Sequence, residues 1–156
     1  MEHPKDIGDR STLAIMLALR SHGYGVYTPF GENTRCDLII EDGEALWRVQ
    51  CKTGRLINGA IAFPTSSSYL HHPHPKISRR DYVGQVDFFG VFCQQTGGVY
   101  LVPTGDLPKR QAMLRVEPPR NSQRRFVREA ASYEIAKIDL ATAGLGARAG
   151  GSGSSA

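Results

Sequence analysis

Two runs of alternating residues, 36–41 and 44–53, meet at Asp42-Gly43, and no other feature of the 156-residue chain restricts its fold as tightly. Asp-Gly between such runs predicts a two-residue hairpin turn, because both central residues must take positive φ. With Asp42 and Gly43 as the loop, Glu41 faces Glu44, Ile39 faces Leu46 and Asp37 faces Arg48. One face of the ribbon then carries Cys36, Leu38, Ile40, Ala45, Trp47, Val49 and Cys51, all apolar. The other carries Asp37, Ile39, Glu41, Glu44, Leu46, Arg48, Gln50 and Lys52. That split gathers Asp37, Gln50 and Lys52 on the face that need not be dry.

The rest of the chain is read around this ribbon. Residues 6–21 predict a helix with a broad, buried apolar surface of Ile7, Leu13, Ala14, Met16, Leu17 and Ala18, ended by a left-handed Gly23. Residues 25–28 predict a short strand closed by Pro29, and 60–63 another strand. A polar loop or lid follows through residue 80, containing Ser66, Ser67, Ser68, His71, His72 and His74. Residues 86–93 and 98–102 predict a second hairpin around Thr96-Gly97-Gly98, although 88–92 fits a strand or a buried helix equally. A basic helix is expected from Asn121 to about Ile135, with Phe126, Val127, Ala130 and Ala131 inward and Arg124, Arg125 and Arg128 outward. The expected architecture is α/β, a mixed sheet flanked by helices over residues 1–138. A Gly/Ser/Ala-rich tail over 139–156 cannot offset its ordering entropy and is expected to be disordered.

Composition narrows the function classes. With 40% hydrophobic and 22% charged residues, the chain can build the core of one domain. Its longest apolar stretch, 13–19, falls well short of the ~20 residues that cross a bilayer. Residues 1–10 lack the order of a secretory signal, so a cytoplasmic location is expected. Three cysteines without C-x-x-C spacing indicate reduced thiols rather than a disulfide framework or zinc site. The formal net charge is +4, and seven bases fall between Lys109 and Arg128. A polyanion such as DNA suits that cluster, and so does a solvated helix face; charge alone does not decide.

Phosphodiester hydrolysis needs charge neutralised on phosphate and hydroxide delivered to it, and a hard divalent cation does both. Mg²⁺ prefers oxygen ligands: the Asp37 carboxylate, the Gln50 side-chain carbonyl and the main-chain carbonyl of Cys51 form such a set. Lys52 could orient water, stabilise developing charge, or act as a base if its pKa were strongly lowered. The plain alternative is that Asp37 pairs with Arg48 across the strands in a surface ion pair. Asp87, within an apolar run, is either a buried structural carboxylate or a functional one, and the histidines of the loop suit phosphate contact better than a structural metal.

The order helix, strand, Asp37, hairpin, then Arg48-Val49-Gln50-Cys51-Lys52 resembles the PD-(D/E)xK nuclease core in the variant where Gln replaces the second acid. The runs PKDIGDRSTLA, YTPFGENTRCDLII, RVQCKTG, DYVGQVDFFGVF and VYLVP are similar to group I intron-associated PD-(D/E)xK homing endonucleases over about residues 4–135. The resemblance implies a restriction-endonuclease-like core, with Asp37 the metal-binding aspartate, Gln50 the replacement for the acid and Lys52 the catalytic lysine. It implies Mg²⁺, with Mn²⁺ able to substitute, and hydrolysis of double-stranded DNA leaving a 5′-phosphate. One small site cuts one strand, so a homodimer or homotetramer is expected. Where such nucleases offer a helix Glu to the metal, this chain has Thr12; Asp9, on the same helical face, and Glu32 are the candidate substitutes. Expected DNA contacts are Thr53 and Arg55 beyond the catalytic strand and Arg120, Arg124, Arg125 and Arg128 on the basic helix. Two other readings use the same core: a Holliday-junction-resolvase-like nuclease, and a DNA-binding module that has lost catalysis.

Overall fold

The computed structural model describes residues 1–31, 34–66, 85–119, 121 and 127–140. Helix α1 spans Pro4–Ser21, starting two residues before the expected position because Pro4 takes the first turn, where its missing N–H costs nothing, and His3 caps it. It ends as predicted: Gly23 has φ +87°, and Gly23 and Tyr24 donate to the carbonyls of Arg20 and Leu19. Its buried stripe is Ser11, Ile15 and Leu19, at helical spacing. Leu13 and Leu17, expected inside, are 65% and 70% exposed, since only one face of α1 meets the sheet. No helix among the described residues is long and apolar enough to cross a membrane.

Seven strands follow: β1 Gly25–Tyr27, β2 Leu38–Glu41, β3 Leu46–Ile57, β4 Ala60–Pro64, β5 Phe88–Cys93, β6 Gly98–Pro103 and β7 Gln111–Arg115. The architecture is mixed α/β. β1, β2 and the first half of β3 run antiparallel, β3 pairs with β5 in parallel, and β6 returns antiparallel to β5. Residues 88–92, open between strand and helix in the sequence, are therefore strand. The second half of β3 leaves this sheet to pair with β4, and β4 pairs with β7. Gly54 sits at the changeover: a Cβ there would lie 2.5 Å from Ile61 Cγ2 and 3.0 Å from Val91 Cγ1, so no other residue fits without displacement.

The β2–β3 register is two residues from the predicted one. Glu41 pairs with Leu46, Ile40 with Trp47, Ile39 with Arg48 and Leu38 with Val49. The turn centres on Gly43-Glu44 instead of Asp42-Gly43: Asp42 N donates to Ala45 O, and the Asp42 carboxylate accepts from the N–H groups of Glu44 and Ala45 at 2.9 Å each. Asp42 thus works from the strand end, and Gly43, at φ +97°, takes the first central position of the turn. A shift of two leaves the side chains of the paired stretches, 38–41 and 46–49, on their predicted faces. Leu38, Ile40, Trp47 and Val49 are buried against Ile15 and Leu19 of α1, each stabilising the fold by about 1.5–3 kcal/mol.

A second core, on the opposite side of the sheet, holds Phe63, Phe89, Val91, Val102 and Leu114. Cys36, expected beside Cys51 on the α1 face, packs against this second core while Cys51 packs with the first. The departure follows from Asp37, whose N–H bonds Val49 O one step out of the β2–β3 ladder and ends the alternation there. All three cysteines are unbridged.

The basic helix is corrected where it is described. Residues 130–133 and 135–137 are single 3₁₀ turns, and Glu129 and Glu134 bridge to Arg115 and Tyr100. Ala130 and Ile135 are buried at the sheet, so tertiary packing and bridging override the helical spacing. Residues 120 and 122–126, with Arg120, Arg124 and Arg125, and the loop histidines 71, 72 and 74, lie outside the described residues. Packing continues to Leu140, which is 3% exposed, and from 141 the expected tail is likewise outside them.

Candidate active site

Backbone groups of β3 project alternately to its two edges, and two aspartates use this alternation. On the β5 edge, Asp87 N donates to Arg48 O at 2.9 Å, and Asp87 Oδ2 accepts from Arg48 N at 2.8 Å and from Arg48 Nε at 3.4 Å. On the β2 edge, Asp37 N donates to Val49 O at 2.9 Å and Asp37 Oδ2 accepts from Cys51 N at 2.9 Å. A strand residue's N–H and C=O face one edge, so the Cys51 carbonyl also faces Asp37. The β3 segment from Arg48 to Cys51 is held from both sides.

Asp87 thereby takes the structural role of its two sequence readings. It is 4% exposed, its charge is met by Arg48, and its carbonyl accepts from Thr104 Oγ1 at 2.9 Å. Arg48, expected opposite Asp37, engages Asp87 instead. Asp37 keeps one carboxylate oxygen on a backbone N–H.

Gln50 and Lys52 leave β3 on the side of the second core, where Gln50 lies beside Phe89 in the parallel ladder. The Gln50 Oε1 atom is buried, with no hydrogen-bond donor among the described residues. A buried carbonyl oxygen left so is costly unless something electropositive meets it. Lys52 is half-buried, its Nζ 5.9 Å from the Phe89 ring centroid. Burial pulls its pKa below the ordinary lysine value, against the opposing pull of Asp37.

The Thr12 hydroxyl donates to Gly8 O at 3.1 Å within α1, and the side chain lies beside the Cys51 thiol, whose pKa is pushed up to about 12, mainly by burial. Ser11 Oγ and Thr53 Oγ1 are 2.6 Å apart between α1 and β3, so the Thr53 hydroxyl, expected on DNA, has an internal partner. Asp9 is exposed on α1, and among the described residues no three His, Cys, Asp or Glu side chains cluster. Glu32 lies outside the described residues. Arg128 Nε donates to Asp106 O at 2.6 Å, which ties it to the fold.

A cleft of about 650 Å³ connects Lys52 with Arg55, Arg110 and Gln111. Arg110 was visible in the sequence only as one of seven bases. Its neighbourhood depends on β7, an alternating segment hidden inside that basic stretch.

This geometry can be set against known proteins. The family model for PD-(D/E)XK endonuclease matches residues 2–136. The chain belongs to the PD-(D/E)XK endonuclease family. Membership implies endonuclease hydrolase activity, and such nucleases generally use divalent metal ions. Among solved structures, the fold is similar to the bacterial homing endonuclease I-Ssp6803I, with a TM-score of 0.67 at 18% identity, covering 96% of this chain and 99% of that one. A second similar structure, the Holliday junction resolvase Hjc of Archaeoglobus fulgidus, has a TM-score of 0.44 at 10% identity, covering 69% and 83%. No curated protein matches.

The donor set fits the divalent ion that the family implies. It consists of a carboxylate with one oxygen that has no partner among the described residues, a buried amide oxygen with no donor among them, and a main-chain carbonyl on the same strand edge as the carboxylate. These are hard oxygen ligands, suited to Mg²⁺ or Mn²⁺.

Proposed function

We propose that this PD-(D/E)XK protein is a Mg²⁺-dependent endodeoxyribonuclease of the homing-endonuclease type, acting on double-stranded DNA as a homodimer or homotetramer in the cytoplasm. Asp37, Gln50 and the Cys51 carbonyl hold the ion, which when bound polarises the scissile phosphate and lowers the pKa of its water. Lys52 places an ammonium beside the Asp37 carboxylate, where it orients the attacking water and meets the charge that develops on phosphate. Arg55 and Arg110 hold the flanking backbone by charge. The observation that carries this reading is the clamped Arg48–Cys51 segment of β3, which presents an unmatched amide oxygen and a carboxylate next to a half-buried lysine. With a single carboxylate the ion is held weakly, so millimolar metal is needed.

Supercoiled plasmid incubated with the protein tests the reading. Nicked and linear product should form in Mg²⁺ or Mn²⁺ and not in chelator, and Asp37→Ala and Lys52→Ala should each lose at least about a hundredfold in rate. Equal rates in all three proteins would remove these residues from the chemistry. A plasmid untouched in every metal, by a protein that binds it, would leave a DNA-binding module.

A further inference from the structure

Beyond Gly54, β3 continues as one rail of a three-stranded antiparallel ribbon with β4 and β7. One face of this ribbon is core: Leu56 pairs with Ile61, and Ile61 with Leu114, the latter two fully buried. The other face is graded across its width. Its middle strand offers only Ala60, Ala62 and Pro64, and the flanking strands carry Arg55 and Ile57 on β3 and Gln111, Met113 and Arg115 on β7. The long flanking side chains close over Ala60 and Ala62, which are buried, and themselves form the exposed surface. Ile57 and Met113 stand 47% and 46% exposed along it. Arg55 and Arg110 have no carboxylate partner among the described residues, and both share the cleft of Lys52. Such a face is neither a finished core nor an ordinary solvated surface. It pairs unspent positive charge with exposed apolar side chains and one amide.

We propose that this outward face of β3, β4 and β7 is the surface that enters a groove of duplex DNA and reads bases beside the cut; the inference rests on the nuclease reading above. Arg55 and Arg110 bind phosphates, Gln111 hydrogen-bonds a base edge, and Met113 and Ile57 make apolar contact with thymine methyl groups. Dimensions favour the duplex. Strands lie about 4.8 Å apart, so two adjacent strands of this ribbon match the major groove, which is about 12 Å wide and admits a two-stranded β-ribbon. Strand rise, about 3.3 Å per residue, nearly equals the 3.4 Å rise of base pairs, so side chains two apart meet every second pair. Arg55 is three residues past Lys52 and the tip at Asn58-Gly59 six to seven past it, which confines reading to about six pairs from the scissile phosphate. The tip is tight: Asn58 and Gly59 have φ +50° and +76°, and Arg115 Nη1 donates to Asn58 O at 2.7 Å, so the ribbon enters as a formed unit.

Two measurements on the full chain in chelator test this. Fluorescence anisotropy with a 30-base-pair duplex gives the salt dependence of binding; Arg55→Gln and Arg110→Gln should each reduce the slope of log affinity against log salt by about 0.9. Selection from a randomised duplex library gives base preference; Gln111→Ala and Met113→Ala should each lose roughly tenfold discrimination at one or two positions within six pairs of the cut, with wild-type melting temperature. Base preferences equal to wild type in Gln111→Ala and Met113→Ala would overturn the inference and leave the nuclease reading standing, as would a wild type that cuts without sequence preference; unchanged slopes in both arginine variants would also remove Arg55 and Arg110 from backbone contact. A wild type that binds no DNA would overturn both.

Discussion

Asp37 and Asp87 are chemically the same, and β3 separates their tasks. Asp87, itself buried, meets the half-exposed Arg48 guanidinium and holds β5 to β3; Asp37 stands at the other edge with one oxygen that has no partner among the described residues. Replacing Asp87 with Ala removes the buried acceptor of the Arg48 backbone N–H and guanidinium and should destabilise the fold by about 1–3 kcal/mol, read by urea denaturation, whereas Asp37→Ala should change stability by less than about 1 kcal/mol. If the two variants melt alike, this division of labour is wrong. Lys52 makes the complementary case. Burial works against its charge, so Lys52→Met should abolish cleavage while leaving stability at pH 7 equal to or above wild type. Gln50 and Lys52 sit on the face their parity gives them, because period-two alternation survives a register error of two, whereas Asp37 lies one step beyond the ladder and reaches β3 through Cys51 N. The partners were not legible. That Arg48 turns to Asp87 depends on a parallel pairing 39 residues away in sequence, which no local pattern encodes. The substitute for the absent helix acid was equally hidden, since the Thr12 hydroxyl turns back onto the helix carbonyl of Gly8.

Among the elements, the β2–β3 turn carries the clearest pH signature. Backbone N–H groups of Ala45 and Glu44 hold the Asp42 carboxylate below its ordinary 3.8. A depressed folded value stabilises the protein above the unfolded pKa and is lost as pH falls through the folded one. Asp42→Ala should therefore cost roughly 1 kcal/mol at pH 7, discounted for the exposure of the turn, and the difference from wild type should shrink steadily as pH falls below the ordinary 3.8. A difference that persists in acid would place the effect elsewhere. Gly54 is the second test: Gly54→Ala must push back Ile61 or Val91 and should cost about 1–3 kcal/mol. Strands read from alternation were found, as was α1 with its Gly23 stop. β7 escaped because Gln111 to Arg115 alternate within a stretch dominated by basic charge, and the helix expected at 121–135 gives way, where described, to turns that bridge to β6 and β7. Local spacing cannot weigh a sheet edge that is offered from elsewhere in the chain.

Across the whole molecule, a long strand serves two sheets: its first half carries the residues proposed to hold the ion and its second half a ribbon that extends from them. One such unit holds one site, so cutting both strands of a duplex takes two copies. Linear product from plasmid should then rise faster than in proportion to protein at low concentration, while nicked product follows it linearly; strictly proportional linear product would show a single copy cutting both strands. The claim beneath all of this is that Asp37 and Gln50 hold a divalent ion and Lys52 does not. Titration of Mn²⁺ by electron paramagnetic resonance, with the protein bound to a short duplex, measures it directly. The account predicts a site lost in Asp37→Ala, weakened in Gln50→Ala, tightened in Gln50→Glu, and kept by Lys52→Ala although that variant does not cut. Unchanged Mn²⁺ binding in Asp37→Ala would contradict it.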